Sequence, residues 1–133
     1  MTQIELADAQ LAAVEVDGHT VTLRLPVAPA RSAGEGADAR PVDGYLPAVV
    51  ISLMQAHLTL GAGCALGECL GAVREGALVV DGLPVRQLAV PSEWQGTVSL
   101  SLALRNGASL SIGATEARCT APGGGGFRES LAC

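Results

Sequence analysis

Apolar and polar side chains alternate along residues 97–119 more regularly than anywhere else in the chain. Leucine or valine occupies every second position from Val98 to Leu104, with Ser or Ala between, and the alternation resumes after Asn106-Gly107. A period of two is typical of β-strands that bury one side and leave the other in solvent. The segment therefore predicts a β-hairpin.

The turn length of this hairpin follows from matching the two apolar faces, because directly opposed residues of an antiparallel pair lie on the same face. A three-residue turn over residues 105–107 pairs Leu102 with Leu110 and Leu100 with Ile112. A two-residue turn would place leucines opposite serines. Three-residue turns commonly end in a left-handed residue, and a glycine stands at that position here.

The same matching predicts a hairpin over residues 11–26. A two-residue turn at Asp17-Gly18 would pair Val14 with Val21 on the apolar face. Asp-Gly suits a type I′ turn, in which both central residues need a positive φ.

A third hairpin is predicted over residues 69–81. A turn of sequence Arg-Glu-Gly at residues 74–76 would pair Ala72 with Leu78.

Residues 45–60 form the longest apolar stretch. Their β-branched residues favour a strand there, although a helix is the rival interpretation.

Two segments are predicted to lie outside the main strands. Residues 31–43, rich in Ala, Gly and charge, predict a mobile loop, and residues 121–133, with their run of glycines, predict a tail or an edge strand. The fold expected over residues 1–133 is a single all-β domain. It is an antiparallel barrel or barrel-like sandwich of roughly seven to nine strands, built from consecutive hairpins.

Composition adds a prediction of self-association. Charged residues make up 16% of the chain and hydrophobic residues 49%, whereas soluble domains average about 25% charged residues. A small domain with so few charges leaves much neutral surface, and association covers part of it. We therefore expect a homo-oligomer or a complex with a protein partner.

Charge and hydropathy argue against other partners. The net charge is −5 and aromatic residues make up 2% of the chain, so nucleic-acid binding is not expected. No run reaches the length of a membrane span, and the first residues lack the pattern of a secretion signal. Cytoplasmic residence is the expectation, with no cofactor and no metal.

His57, Cys64 and Cys69 lie near one another in sequence and suggest one enzymatic alternative. A thiol with an imidazole can form a nucleophilic or a zinc site. The spacing of Cys64 and Cys69 is not that of a zinc knuckle, so exposed imidazole and buried thiols are the preferred interpretation. Free thiols are also expected at Cys119 and Cys133.

Tyr45, His57 and Trp94 are the candidate binding residues. Tyr45 and Trp94 are two of the three aromatic residues, and aromatic side chains are favoured in ligand pockets and partner surfaces. The alternative is that they pack over the ends of the barrel. No catalytic residue is predicted.

The sequence therefore predicts a non-enzymatic β-domain that acts by protein binding or self-association. One alternative is a barrel that holds a small apolar ligand, and the other is an enzyme that uses His57 with Cys64 or Cys69.

Overall fold

The computed structural model describes residues 2–32, 42–85, 88–121 and 128–129. These residues form twelve β-strands and one 3-10 turn, Leu66–Glu68, and they contain no α-helix. The strands are β1 (Thr2–Ile4), β2 (Gln10–Leu11), β3 (Ala13–Asp17), β4 (Thr20–Ser32), β5 (Val42–Met54), β6 (His57–Leu60), β7 (Gly71–Val80), β8 (Leu83–Val85), β9 (Leu88–Val90), β10 (Ser92–Leu104), β11 (Ser109–Thr120) and β12 (Arg128–Glu129). The all-β prediction is confirmed. Among the described residues, no helix is long and apolar enough to cross a membrane.

Six strands close into an antiparallel barrel in the order β5–β11–β10–β7–β2–β4, and β4 pairs with β5 to complete the ring. The predicted barrel is therefore present. Seven of the twelve strands have four or more residues, and the other five have two or three. Several short strands continue a neighbour: β2 and β3 are separated by Ala12 alone, and β6 follows β5 after two residues.

The core is built from Leu, Val, Ile, Ala and two cysteines of the barrel and its adjoining loops. Leu23, Leu53, Leu100 and Ile112 are fully buried, and they come from four different strands. Among the described residues, no polar or charged side chain is buried. The alternation of apolar residues in the sequence therefore marks the inner face of the barrel.

The hairpin of β10 and β11 has the predicted register. Leu102 pairs with Leu110 and Leu100 with Ile112. The N–H of Leu104 donates to the carbonyl of Ala108 at 2.8 Å across a three-residue turn. Gly107 ends that turn with a φ of +92°, a left-handed conformation that glycine adopts without a steric cost.

The hairpin of β3 and β4 exists, but its predicted register is wrong by two residues. Val16, not Val14, pairs with Val21, and Asp17 remains in the strand opposite Thr20. The turn is Gly18-His19, with Gly18 at a φ of +61°, which fits glycine at the first central position of a type II′ turn. A shift of two residues keeps every side chain on its face, so the apolar pattern could not distinguish the two registers.

The prediction of a hairpin over residues 69–81 with its turn at residues 74–76 is wrong. Residues 74–76 lie inside the continuous strand β7, which pairs with β10 along its length. The turn lies further along the chain at Asp81-Gly82, where β7 meets β8. Both turn residues have positive φ, +51° and +80°, as a type I′ turn requires.

Residues 45–60 form strands β5 and β6, as predicted, with an interruption at Gln55 and Ala56.

The predicted loop over residues 31–43 is wrong at both ends, because Arg31 pairs with Asp43 and Ser32 with Val42. Residues 33–41 lie outside the described part. Of the predicted tail, residues 128–129 form β12, an edge strand on β5, and residues 122–127 and 130–133 are outside the described part.

Candidate functional site

The three predicted binding residues lie on different strands. Tyr45 is in β5, with 39% of its surface exposed. His57 begins β6 and is exposed. Trp94 is in β10 and packs in part against the core.

The strand registers show that these residues do not converge. Ala117 of β11 pairs with both Trp94 and Leu53. Tyr45 lies eight positions before Leu53 in β5, which is about 26 Å of extended chain. His57 pairs with β11 four positions before Ala117, about 13 Å away. No single pocket therefore joins Tyr45, His57 and Trp94.

His57 is also separated from Cys69. Cys69 Sγ donates to the carbonyls of Ala65 and Ser109 at 3.6 and 4.0 Å. His57 pairs with Gly113, four positions beyond Ser109 and thus about 13 Å along β11. This geometry provides no imidazole to take a proton from the Cys69 thiol.

The thiols of Cys69 and Cys119 are poor nucleophiles. Cys64, Cys69 and Cys119 are free, and the last two are buried. Burial raises the pKa of the Cys119 thiol to about 12. Burial, with Cys64 and Glu68 nearby, also raises the pKa of the Cys69 thiol. Since the thiolate is the reactive form, both groups stay unreactive at neutral pH.

Metal-binding side chains do not cluster in the part of the chain that the structure describes. No group of three or more His, Cys, Asp or Glu residues there is arranged to hold a metal ion. Cys133 lies outside that part.

A cleft of about 480 Å³ opens on the flank of the barrel between β1 and β8. Its wall is mostly apolar, with one carboxylate at Glu5. The lining residues are Ile4, Glu5, Leu6, Ala7, Gly76, Ala77, Leu78, Pro84, Val85 and Leu88. The volume is that of a small-ligand pocket.

The outer face of β6, β11, β10 and β7 carries mainly small, neutral side chains. One row across these strands consists of Thr59, Ser111, Ser101 and Ala77. Their small size leaves a shallow groove of about 290 Å³ over the strands. Glu75 is the charged residue in the lining of this groove, and the face is a shallow surface rather than a pocket with converging polar groups.

Strand β3 offers a different kind of site, a free sheet edge. Among the described residues, five strands pair along one side only: β3, β6, β8, β9 and β12. With five residues, β3 is the longest of them. A free edge presents unpaired main-chain donors and acceptors to which another strand can bind.

The turn between β3 and β4 determines which groups of β3 point outward. A two-residue turn makes its flanking pair, Asp17 and Thr20, a hydrogen-bonded pair. The pattern alternates along the strand, so Glu15 also bonds to β4 while Val14 and Val16 direct their N–H and C=O groups away from it. Within the described residues, those outward groups have no main-chain hydrogen bond.

The β3 edge contains no proline or lysine, two residues that commonly protect an edge against strand addition, and its charged residues are Glu15 and Asp17. Other edges differ, because β8 contains Pro84, and β6 follows the irregular residue Gln55, whose φ is +52°. Residues 13–17 read Ala-Val-Glu-Val-Asp. Val16 is 51% exposed, which leaves an apolar side chain beside the free main-chain groups.

The charge on this edge is partly neutralised from the neighbouring strand. Glu15 accepts hydrogen bonds from Arg24 at 2.8 and 3.2 Å. The Arg24 guanidinium lowers the pKa of Glu15, mainly through these bonds. Glu15 is therefore ionised and paired at neutral pH.

Sequence analysis missed this edge, although it predicted a hairpin over residues 11–26. Whether a strand has one neighbour or two depends on pairings between distant segments, which alternation does not encode.

Comparison with protein family models, with curated proteins and with solved structures found no match for this chain. The functional interpretation therefore rests on the geometry of the site.

Proposed function

We propose that this protein is a non-enzymatic β-module that acts by self-association, with a second copy adding a strand to the β3 edge. One observation carries the proposal. The main-chain N–H and C=O groups of Val14 and Val16 point away from β4, and β3 is the longest of the described strands that pair along one side only. A second β3 strand supplies the complementary donors and acceptors.

Three other features support a homo-oligomer. The chain has few charges to oppose contact between copies. The edge carries no lysine or proline, and Val16 loses exposed apolar surface when a strand is added. Cytoplasmic residence belongs to the same proposal, and the free thiols of Cys64, Cys69 and Cys119 fit a reducing compartment.

The substitution Val16→Pro tests the proposal. Because the Val16 N–H points away from β4, proline removes an outward donor and no bond of the barrel. We expect the average mass of the parent protein to rise above 13.4 kDa with concentration in light scattering. The Val16→Pro protein should stay at the monomer mass with an unchanged far-ultraviolet circular dichroism spectrum.

Val16→Thr is the matched control, because threonine is also β-branched and keeps the N–H group. It should associate as the parent does. A parent protein that remains monomeric up to about 1 mM, where a weak dimer would form, would refute self-association. Equal association of the parent and Val16→Pro would refute the β3 edge.

The cleft between β1 and β8 supports a second candidate function, the binding of a small apolar ligand. Its volume of about 480 Å³ and its mostly apolar lining carry this alternative. The site lies on the flank, whereas the barrel interior is occupied by the buried core.

The dye 1-anilinonaphthalene-8-sulfonate can test the cleft, since it fluoresces on apolar surfaces. Val85→Phe would place a larger side chain in the cleft and should reduce dye binding to native protein at least about threefold. Val50→Phe is the control, because Val50 lies on β5, which contributes no residue to the lining, and the variant should leave binding unchanged. Equal binding by both variants would exclude the cleft.

A further inference from the structure

The cleft between β1 and β8 combines an apolar lining with a single carboxylate, that of Glu5. We infer that its ligand is a small amphipathic amine, with a hydrocarbon part inside the cleft and a protonated amino group beside Glu5. This inference rests on the second candidate function, the binding of a small ligand in the cleft, and adds the charge of that ligand.

The cleft lies at a break in the barrel wall along one side of β7. Near the start of β7, the N–H and C=O of Val73 bond at 2.8 Å to the segment that leads from β1 to β2. Pairing with β8 begins at Leu78, about 16 Å further along the strand. Gly76 and Ala77, which lie between these two points, line the cleft. The break is long enough to admit a small molecule between the strands.

The inner part of the cleft is formed by residues of the hydrophobic core. Ile4, Leu6, Leu78 and Leu88 line it, and each has 5% or less of its surface exposed. Because these side chains are already packed, a ligand does not have to order them on binding. The hydrocarbon part of a ligand loses its contact with water there, which favours binding.

Glu5 lies at the solvent side of the same cleft. Successive side chains of an extended chain point to opposite faces, and Ile4 and Leu6 on either side of Glu5 are buried while Glu5 is exposed. A charged group at such a position stays hydrated, so it can bind a second charge without the cost of burying both. The polar end of a ligand therefore belongs at this rim.

The charge of Glu5 is not neutralised within the part of the chain that the structure describes. No ion pair there involves its carboxylate. Arg31 and Asp43 line a small pocket together with Glu5, but the Arg31 guanidinium donates to Asp43 at 2.9 Å. Two carboxylates and one guanidinium leave this region negative, which favours a cation at the rim.

A primary ammonium group fits the rim because it carries a positive charge and three N–H donors. An alcohol with the same hydrocarbon skeleton can donate a hydrogen bond but carries no charge. The ratio of the two affinities therefore reports the contribution of the charge. Since exposed ion pairs are weak and are screened by salt, this contribution should be about two- to fivefold at low ionic strength.

The matched compounds 1-naphthylmethylamine and 1-naphthalenemethanol test the inference. Equilibrium dialysis, read by naphthalene absorbance, gives the affinity of each compound for the parent protein and for Glu5→Gln. We expect the ratio of amine to alcohol affinity to be about two- to fivefold lower in Glu5→Gln than in the parent. Raising the salt concentration to about 0.5 M should remove most of this difference.

Glu68→Gln is the matched control, because it removes the same charge from an exposed residue outside the cleft. It should keep the ratio of the parent. An unchanged ratio in Glu5→Gln would overturn the inference. An equal fall in both variants would also overturn it, because the preference would then come from the net charge of the protein.

Val85→Phe separates the failure of this inference from the failure of the cleft as a binding site. This substitution should weaken the binding of both compounds at least about threefold. If the parent binds neither compound, or if Val85→Phe binds the alcohol as the parent does, the second candidate function is refuted. If Val85→Phe weakens binding of the alcohol but Glu5→Gln leaves the ratio unchanged, the cleft binds ligands and only the preference for an amine is refuted.

Discussion

Gly76 is a strand residue whose missing side chain the fold requires. It lies in β7 opposite Leu102 of β10. A Cβ atom at this position would lie 2.7 Å from Leu102 Cδ2 and 2.8 Å from Leu6 Cβ. The Leu6 contact involves the base of a side chain, which cannot rotate away.

The substitution Gly76→Ala should therefore destabilise the protein. Overpacking of a close core contact costs about 1–3 kcal/mol, and urea unfolding followed by Trp94 fluorescence would measure it. Gly113→Ala is the matched control, since Gly113 also lies in a strand and a Cβ there meets nothing within 4 Å. That variant should be as stable as the parent or slightly more so. Equal unfolding midpoints would show that the contact around Gly76 relaxes freely.

The same glycine explains an incorrect prediction. The string Arg-Glu-Gly at residues 74–76 has the composition of a turn, and a turn there pairs apolar residues. The structure uses Gly76 for the close approach of Leu102 and Leu6 instead. Glycine in a strand commonly marks such an approach, but its sequence neighbours do not reveal which role it has.

At the scale of strands and hairpins, the alternation of apolar residues predicts the face on which a side chain lies better than it predicts which residues of two strands pair. The β10–β11 register was predictable, because an odd shift would oppose leucines and serines. The β3–β4 register was not, because Val14 and Val16 are both apolar and a shift of two keeps them on one face. Turn chemistry at Asp17 and Gly18 favoured the wrong alternative.

The candidate site was less predictable than the fold for a related reason. Tyr45 and Trp94 were predicted to bind a ligand or partner because aromatic residues are rare in this chain, but they lie on different strands, β5 and β10. The β3 edge depends on which strand lies beside β3, a property of the closed ring. Local pattern identifies the strand and its faces, whereas only the complete order of strands identifies its free side.

At the scale of the whole molecule, Cys119 connects barrel stability to pH. It lies in β11 between Ser92 of β10 and Ile51 of β5, and it is fully buried. Burial raises its pKa from 9.0 to about 12. Between these values the unfolded chain loses the thiol proton while the native barrel keeps it.

The stability that Cys119 contributes should therefore be complete below pH 9 and fall as the pH rises towards 12. At pH 11 the loss from this group is about 2–3 kcal/mol, from about 1.4 kcal/mol per pH unit. Urea unfolding at pH 8 and pH 11 would measure it in the parent and in Cys119→Ala. The variant starts from lower stability, since it loses core packing, but should lose less on going to pH 11. Cys69 titrates in both proteins, so its effect cancels in the difference. An equal loss in the two proteins would show that the Cys119 thiol reaches solvent without opening of the barrel.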